Sequence, residues 1–265
     1  MIMNNNTHIS YLIEDYRNAK SFNNDLLQLG VQEIDNAIKG LEAGEMITLL
    51  GDPGSGKTSL TIRMVDSLSV DRKIPTLYMC VRSTPSYIIR RLVDYRRSSG
   101  DDEENVIKEI VKAPIYLHAS HSMNMDDVYN ICRQHVEEFG VKVVFVHYLY
   151  IAYDRNNAYR LRLLARELGI SIVVLVNIFE DREGLEGVLP IMRDLYDNLL
   201  GEYSDTVIGL CDYAAYHMTL DTSGCNISGL LHVAILKCHG EIQDNRFYVS
   251  KDSMHHKQLT LERWT

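Results

Sequence analysis

Gly51-Asp52-Pro53-Gly54-Ser55-Gly56-Lys57-Thr58 fits the pattern GxxxxGK[ST] at every fixed position. Residues of these types at this spacing bind phosphate. The glycines let backbone N–H groups turn inward around phosphate oxygens, and a helix that starts at the loop adds the attraction of its N-terminal dipole. Lys57 is placed to reach the β- and γ-phosphates, and the Thr58 hydroxyl to ligate Mg2+. The expected binding segment is therefore Gly51, Asp52, Pro53, Gly54, Ser55, Gly56, Lys57, Thr58 and Ser59, with ATP and Mg2+ as the ligands and Thr58 as the metal contact. From residue frequencies, a chance match arises in roughly one chain in a hundred of this length. Binding is not turnover. Hydrolysis also needs a carboxylate for the metal, a group that orients water, and often an arginine from a neighbour.

Other residues with chemical potential carry weaker signals. Cys80, Cys132, Cys211, Cys225 and Cys238 include no CxxC pair, so neither a zinc site nor a redox pair is indicated. Five is an odd number, which speaks against a disulfide framework and for a reducing cytoplasm. His118 and His121 lack a third ligand at a fitting spacing and read as exposed loop histidines. His255 and His256 read as a solvated surface pair. Tyr148, Tyr150 and Tyr153 form a stripe able to stack on bases, although Tyr148 lies in an apolar run and reads as core. Arg90, Arg91, Arg96 and Arg97 form the main basic cluster, either a solvated helix face or a patch for phosphate or a neighbouring subunit.

These groups must be positioned by elements, and the chain supplies strands alternating with helices. Of its 265 residues 46% are apolar and 24% charged, the balance of a soluble globular protein with a sizeable core. The run Met46-Ile47-Thr48-Leu49-Leu50 ends at Gly51 and predicts a buried parallel strand that delivers the phosphate loop. A helix over residues 57–68 follows. Further strands are predicted at residues 76–81, 115–117, 141–151, 172–176, 206–211 and 230–236, with 246–249 joining as a hairpin. Helices are predicted at 31–38, 85–97, 126–139 and 158–168, the last closed by Gly169. Residues 101–104 read as a turn or helix start, and 184–190 and 221–228 as loops. Ile9, Leu12, Ile13 and Tyr16 predict a short amphipathic helix over 9–19, either a docking arm for a neighbouring subunit or a helix on its own domain. The alternation implies an α/β fold with a mostly parallel central sheet flanked by helices and antiparallel strands at the C-terminal edge. The expected division is an arm or linker helix over residues 1–25 and one phosphate-loop domain over 26–265.

No apolar run is long enough to span a membrane, and the N-terminus lacks the basic flank and apolar stretch of a secretory signal. No membrane partner is expected. The net charge of −9 weighs against tight nucleic-acid binding by a lone subunit, while leaving room for a local basic patch or a basic channel assembled by an oligomer.

Several segments carry a family resemblance. They are Leu29-Gly30-Val31-Gln32-Glu33-Ile34-Asp35 and Gly40-Leu41-Glu42-Ala43-Gly44-Glu45 ahead of the loop, then Val144-Phe145-Val146-His147-Tyr148-Leu149-Tyr150-Ile151, Leu163-Leu164-Ala165-Arg166-Glu167-Leu168 and Lys237-Cys238-His239-Gly240. Together with the phosphate loop they resemble the RecA-like motor domain of DnaB-type replicative helicases, over residues 26–249. The helicase's separate N-terminal domain is expected to be lacking. The resemblance implies a RecA-like fold, a homo-oligomeric ring that is hexameric in that family, ATP between subunits, and single-stranded DNA drawn through the centre.

The same resemblance marks departures at the catalytic positions. The family's metal-serving aspartate, directly before Tyr-Leu, corresponds to His147, and a neutral imidazole is a poor partner for hydrated Mg2+. The glutamate that activates water corresponds to Arg82, which cannot act as a base at neutral pH. The glutamine sensor corresponds to Asn177, which keeps an amide. In the family's Lys-x-Arg, whose arginine reaches the neighbour's γ-phosphate, Lys237 is retained and His239 stands for the arginine. Asp52 and Asp154 are the carboxylates left near enough to serve the metal instead. Tyr213 and Tyr216 lie near the region from which the family contacts adenine, and the DNA-facing loops fall near residues 181–194. That segment sets Asp181, Glu183, Glu186 and Asp194 against Arg182 and Arg193, so it is not basic.

An intact cradle with three replaced catalytic groups implies slow or lost hydrolysis, because one missing transition-state partner alone can cost powers of ten in rate. The expected function is an ATP-binding DnaB-like helicase domain, ring-forming and DNA-associated, with weak or no turnover. The alternative is a nucleotide-binding assembly or regulatory module without hydrolysis. A small-molecule kinase is a weak third, since no acceptor site or arginine-rich lid follows the loop.

Overall fold

The computed structural model describes residues 26–81, 83–97, 102–120, 122–147, 155–178, 189–195, 199–220 and 224–251. The predicted arm helix over 9–19, the tyrosine stripe at 148–153, Arg82, Asp154, His121, His255 and His256 lie outside them, as does 181–188 of the predicted DNA-facing segment.

Eight strands form one sheet among the described residues: β1 (Met46–Gly51), β2 (Thr76–Val81), β3 (Ile115–Ser120), β4 (Val143–His147), β5 (Ser171–Asn177), β6 (Thr206–Cys211), β7 (Leu230–Cys238) and β8 (Glu241–Ser250). Their order is β3-β2-β4-β5-β1-β6-β7-β8. The first six pair in parallel, and β7 and β8 are antiparallel. The predicted α/β fold, mostly parallel with an antiparallel C-terminal edge, is what forms.

The sheet is covered on both faces, so its central strands are apolar at successive positions rather than at alternate ones. In β1 all six residues are buried. Met46 and Leu50 face one apolar layer with Val144, Val146, Ile172 and Val174. Ile47 and Leu49 face the other, with Val143, Phe145, Val173 and Leu175. The first layer is completed by two helices, α5 (Met125–Phe139) and α6 (Arg155–Leu168). The second is completed by α1 (Gln32–Ile38), α2 (Lys57–Val65) and α3 (Pro85–Arg96). Between α3 and β3 lies α4 (Glu103–Val111).

Helix ends are set by local chemistry. Thr84 caps α3 by accepting from the Tyr87 N–H, with Pro85 in the first turn where its missing N–H costs nothing. Asn124 and Asp127 form a reciprocal capping box on α5.

Some element bounds differ from the sequence expectation. The helix predicted over 57–68 leaves α geometry after Val65 and continues as a π-helical turn, Asp66–Asp71. The segment at 101–104 starts a full helix, with Asp102 as its cap. β3 runs three residues past the predicted 117, and α6 begins at Arg155 rather than 158. The hairpin strands are longer than predicted, because Glu241 to Asn245, polar but for Ile242 and mostly exposed, extend β8 along its free edge. A short helix, α7 (Leu200–Tyr203), and 3-10 turns at Met192–Leu195 and Tyr213–Tyr216 were not signalled by periodicity. No helix among the described residues is long and apolar enough to cross a membrane.

Candidate functional site

β1 lies between β5 and β6 and ends at Gly51, which pairs with Asn177 at the end of β5. The chain then turns through Asp52 to Gly56 into α2, so the phosphate loop opens at the carboxyl edge of the parallel strands, where α/β sheets bind ligands. Two glycines are required by the geometry. A Cβ on Gly51 would sit 2.5 Å from the Leu210 carbonyl oxygen of the neighbouring strand. Gly56, the residue before α2, has φ +86°, the left-handed region that side chains disfavour.

Lys57 is buried at the mouth of this helix. Its ammonium donates to the carbonyls of Gly51 (2.7 Å) and Asp52 (2.8 Å) and to the Ser55 hydroxyl (3.1 Å). Three acceptors match its three protons. Burial pulls its pKa down to about 7, against the opposing charge of Asp52. The loop thus holds a cation that is poorly solvated and short of counter-charge, a ready partner for a polyanion.

A cavity of about 480 Å³ opens over the loop. Thr58 and Ser59 lie at its floor, Asn177 on the β5 side, Tyr87 and Arg91 on α3, and Asp212, Leu231 and Lys251 on the side of the antiparallel strands. Arg91 donates to the Ser59 hydroxyl at 2.5 Å. On the other side, Tyr216 donates to the Asp52 carboxylate at 2.6 Å, which fastens the 3-10 turn to the loop. Lys251 binds Asp212 at 2.5 Å and the Ser228 carbonyl at 3.1 Å. Tyr213 bonds His232 at 2.7 Å, and that ring stacks on Tyr248. The residues present suit a triphosphate with a divalent cation: inward-turned backbone, a helix start, a lysine, an arginine and the Thr58 hydroxyl.

The remaining sequence candidates divide by place. The His147 backbone ends β4, paired with Cys80 and Leu175, at the same sheet edge as the loop but one strand removed from β1. Lys237 and His239 lie at the opposite edge. Lys237 pairs with Val207 at the start of β6 and donates to the carbonyls of Gly201 and Glu202. His239 forms the β7–β8 turn at φ +46°. Its Nδ1 bonds Glu45 at 2.7 Å and its Nε2 bonds the Ile38 carbonyl at 2.8 Å. Glu45 immediately precedes β1, so these residues are separated from the loop by the length of that strand, about 17 Å at its usual rise. Burial lowers the His239 pKa, but its bonds to Glu45 and Ile38 and the charges of Glu45 and Glu42 outweigh this and raise it.

Two expectations are corrected. His118 is not on an exposed loop. It lies half-buried within β3, where burial and the nearby His135 lower its pKa against the pull of Asp127. The four arginines do not share one solvated face. Arg90 lies exposed near Asp94, and Arg97 pairs with Glu103. Arg96 is held by buried Asp66 together with Asp71 and Glu109, and Arg91 turns into the cavity.

Asp212, Leu231 and Lys251 were not anticipated: Asp212 follows the end of β6, and Leu231 and Lys251 reach the loop through the antiparallel strands. For Tyr216 the signal was its place after β6, though not its bond to Asp52.

A family model for the DnaB-like helicase C terminal domain matches residues 27–254. Among curated relatives, the replicative DNA helicase DnaB of Leifsonia xyli subsp. xyli is 24% identical over 213 residues, 71% of this chain and 47% of that protein. The replicative DNA helicase DnaB of Helicobacter pylori strain J99 is 26% identical over 258 residues, 86% of this chain and 51% of that protein. The chain therefore spans about half the length of the curated relatives it matches. Among solved structures, the ATPase domain of G40P superposes with a TM-score of 0.76 at 17% identity, covering 92% of this chain and 96% of that one. A DnaB-like replicative helicase, described with its interactions with primase, gives 0.72 at 16% identity, covering 92% and 64%.

Proposed function

The chain belongs to the DnaB-like helicase C-terminal domain family, and from that premise we propose that it binds ATP with Mg2+ at Gly51–Ser59 and hydrolyses it slowly or not at all. The observation that carries this reading is the loop itself, with Lys57 buried among loop acceptors at the start of a helix and under a cavity of suitable size. Lys57 binds the β- and γ-phosphates, and Thr58 holds the metal, which supplies charge neutralisation between them. Asn177 takes the place of the phosphate sensor.

Weak turnover follows from what stands at the other positions. His147 supplies no carboxylate for the metal, and Arg82 cannot act as a base at neutral pH. Asp52, the carboxylate within the loop, already has one oxygen engaged by the Tyr216 hydroxyl. His239 is engaged by Glu45 and Ile38 of its own chain rather than poised to reach a neighbour. In this reading residues 26–265 form the nucleotide domain and 1–25 an arm or linker. The domain assembles in the cytoplasm into a homo-oligomeric ring, a hexamer, that engages single-stranded DNA.

The engagement of His239 also favours a second reading, a nucleotide-binding assembly or regulatory module in which ATP is a structural ligand. Phosphate release measured with and without single-stranded DNA tests both. The expected result is thermal stabilisation by ATP with little or no phosphate release. DNA-stimulated turnover at rates of about 1 s⁻¹ or more, the ordinary enzyme range, would overturn the weak-hydrolysis proposal and the module reading together.

A further inference from the structure

Four arginines lie on or beside α3, and three have carboxylates near their guanidinium groups. Arg91 differs. Among the described residues it has no carboxylate partner, and its hydrogen bond goes to a neutral hydroxyl, Ser59 Oγ, at 2.5 Å. Ser59 is itself buried and sits in the first turn of α2, directly after the lysine and threonine of the phosphate loop. Arg91 and Tyr87, one helical turn apart, line the same cavity, so this face of α3 forms one of its walls.

A guanidinium with no carboxylate partner among the described residues, fixed in direction by a short bond and directed into a cavity floored by a phosphate loop, is a built anion contact. Its planar fork matches two phosphate oxygens at once, which an ammonium cannot do. The carboxylate at the far wall, Asp212, is already taken by Lys251. Arg91 and Lys57 are therefore the two cations facing the loop whose charge is not answered by a carboxylate bond among the described residues.

We propose that Arg91 is a phosphate ligand of this site, binding the polyphosphate chain of the nucleotide from within the same subunit. The proposal rests on the ATP-binding reading and adds a residue to it. It also assigns that residue an effect: a cation present before and after any bond cleavage tightens ground-state binding, and uniform tightening adds nothing to turnover. A site built this way retains its nucleotide.

The test uses the full chain with Arg91→Met, Arg91→Lys and Lys57→Ala, and reads affinity for ATP and for inorganic tripolyphosphate, together with the ligand-free melting temperature. Arg91→Met is expected to weaken both ligands about 10- to 100-fold, the range for a lost charge-assisted hydrogen bond. Arg91→Lys should recover part of the loss, with the ligand-free melting temperature close to that of the wild type. Affinities within twofold of wild type in Arg91→Met overturn the proposal. So does a loss of affinity that tracks a large fall in ligand-free stability and is not eased by lysine, which would mark a packing residue. Failure of the parent reading looks different, since Lys57→Ala would then bind ATP as tightly as the wild type.

Discussion

At the residue scale the decisive group is Lys57. An ammonium surrounded by loop carbonyls with a pKa near 7 is largely deprotonated at pH 8. A bound triphosphate supplies the missing counter-charge and restores the proton. ATP binding at pH 8 is therefore expected to take up close to one proton per site, read as the dependence of calorimetric heat on the ionisation enthalpy of the buffer. Lys57→Ala should abolish the uptake and weaken ATP at least about tenfold. Zero uptake in the wild type would show that the empty loop keeps its lysine charged. The loop was legible in the sequence because all its fixed positions lie within eight residues. Arg91 could not be told from Arg90 beside it, because what separates them is Ser59, 32 positions away.

At the element scale the β7–β8 turn is fastened to the start of β1 by one histidine. Glu45 and the Ile38 carbonyl are both acceptors, so the His239 ring satisfies both at once only in its protonated form, donating from each nitrogen. Its folded-state pKa lies above the ordinary 6.5. The stability it contributes is therefore fully present below about pH 6.5 and is lost as pH rises through the raised folded value. Lys57, lowered to about 7, acts in the other sense: between that value and its ordinary 10.5, stability rises with pH. The His239 contribution is isolated as the difference between wild type and His239→Gln. That difference in melting temperature is expected to be largest in mild acid and to shrink toward pH 8. A difference that stays constant with pH would show that folding does not raise the pKa of the ring. The central strands were predictable, since apolar runs such as β1 and β2 admit one reading. α4 was harder to see because it buries Val106 alone, so its apolar stripe is too thin to set a period. The fastening of His239 was invisible for another reason: its partner lies 194 residues away.

At the scale of the whole molecule, the phosphate loop and the hairpin turn occupy opposite edges of one sheet. No residue at the turn can reach the loop of its own subunit, so any contribution from Lys237 or His239 to a nucleotide requires a second copy. Light scattering in the presence of ATP and Mg2+ is expected to give a mass six times that of the chain, and a smaller mass for Lys57→Ala under the same conditions. A monomer at every nucleotide concentration overturns the ring. A ring in which His239→Gln leaves phosphate release unchanged fits the module reading, because the histidine then serves its own domain.

The bonds that hold Lys57 have a further consequence. The ammonium is lodged among Gly51, Asp52 and Ser55, and some of those bonds must be given up for it to meet a phosphate. The empty loop is its own competitor: it offers the lysine an internal substitute for the ligand. Affinity is then the difference between two nearly matched sets of hydrogen bonds, not the sum of one. A change that makes the empty loop more comfortable loosens its grip on nucleotide without touching a single ligand contact.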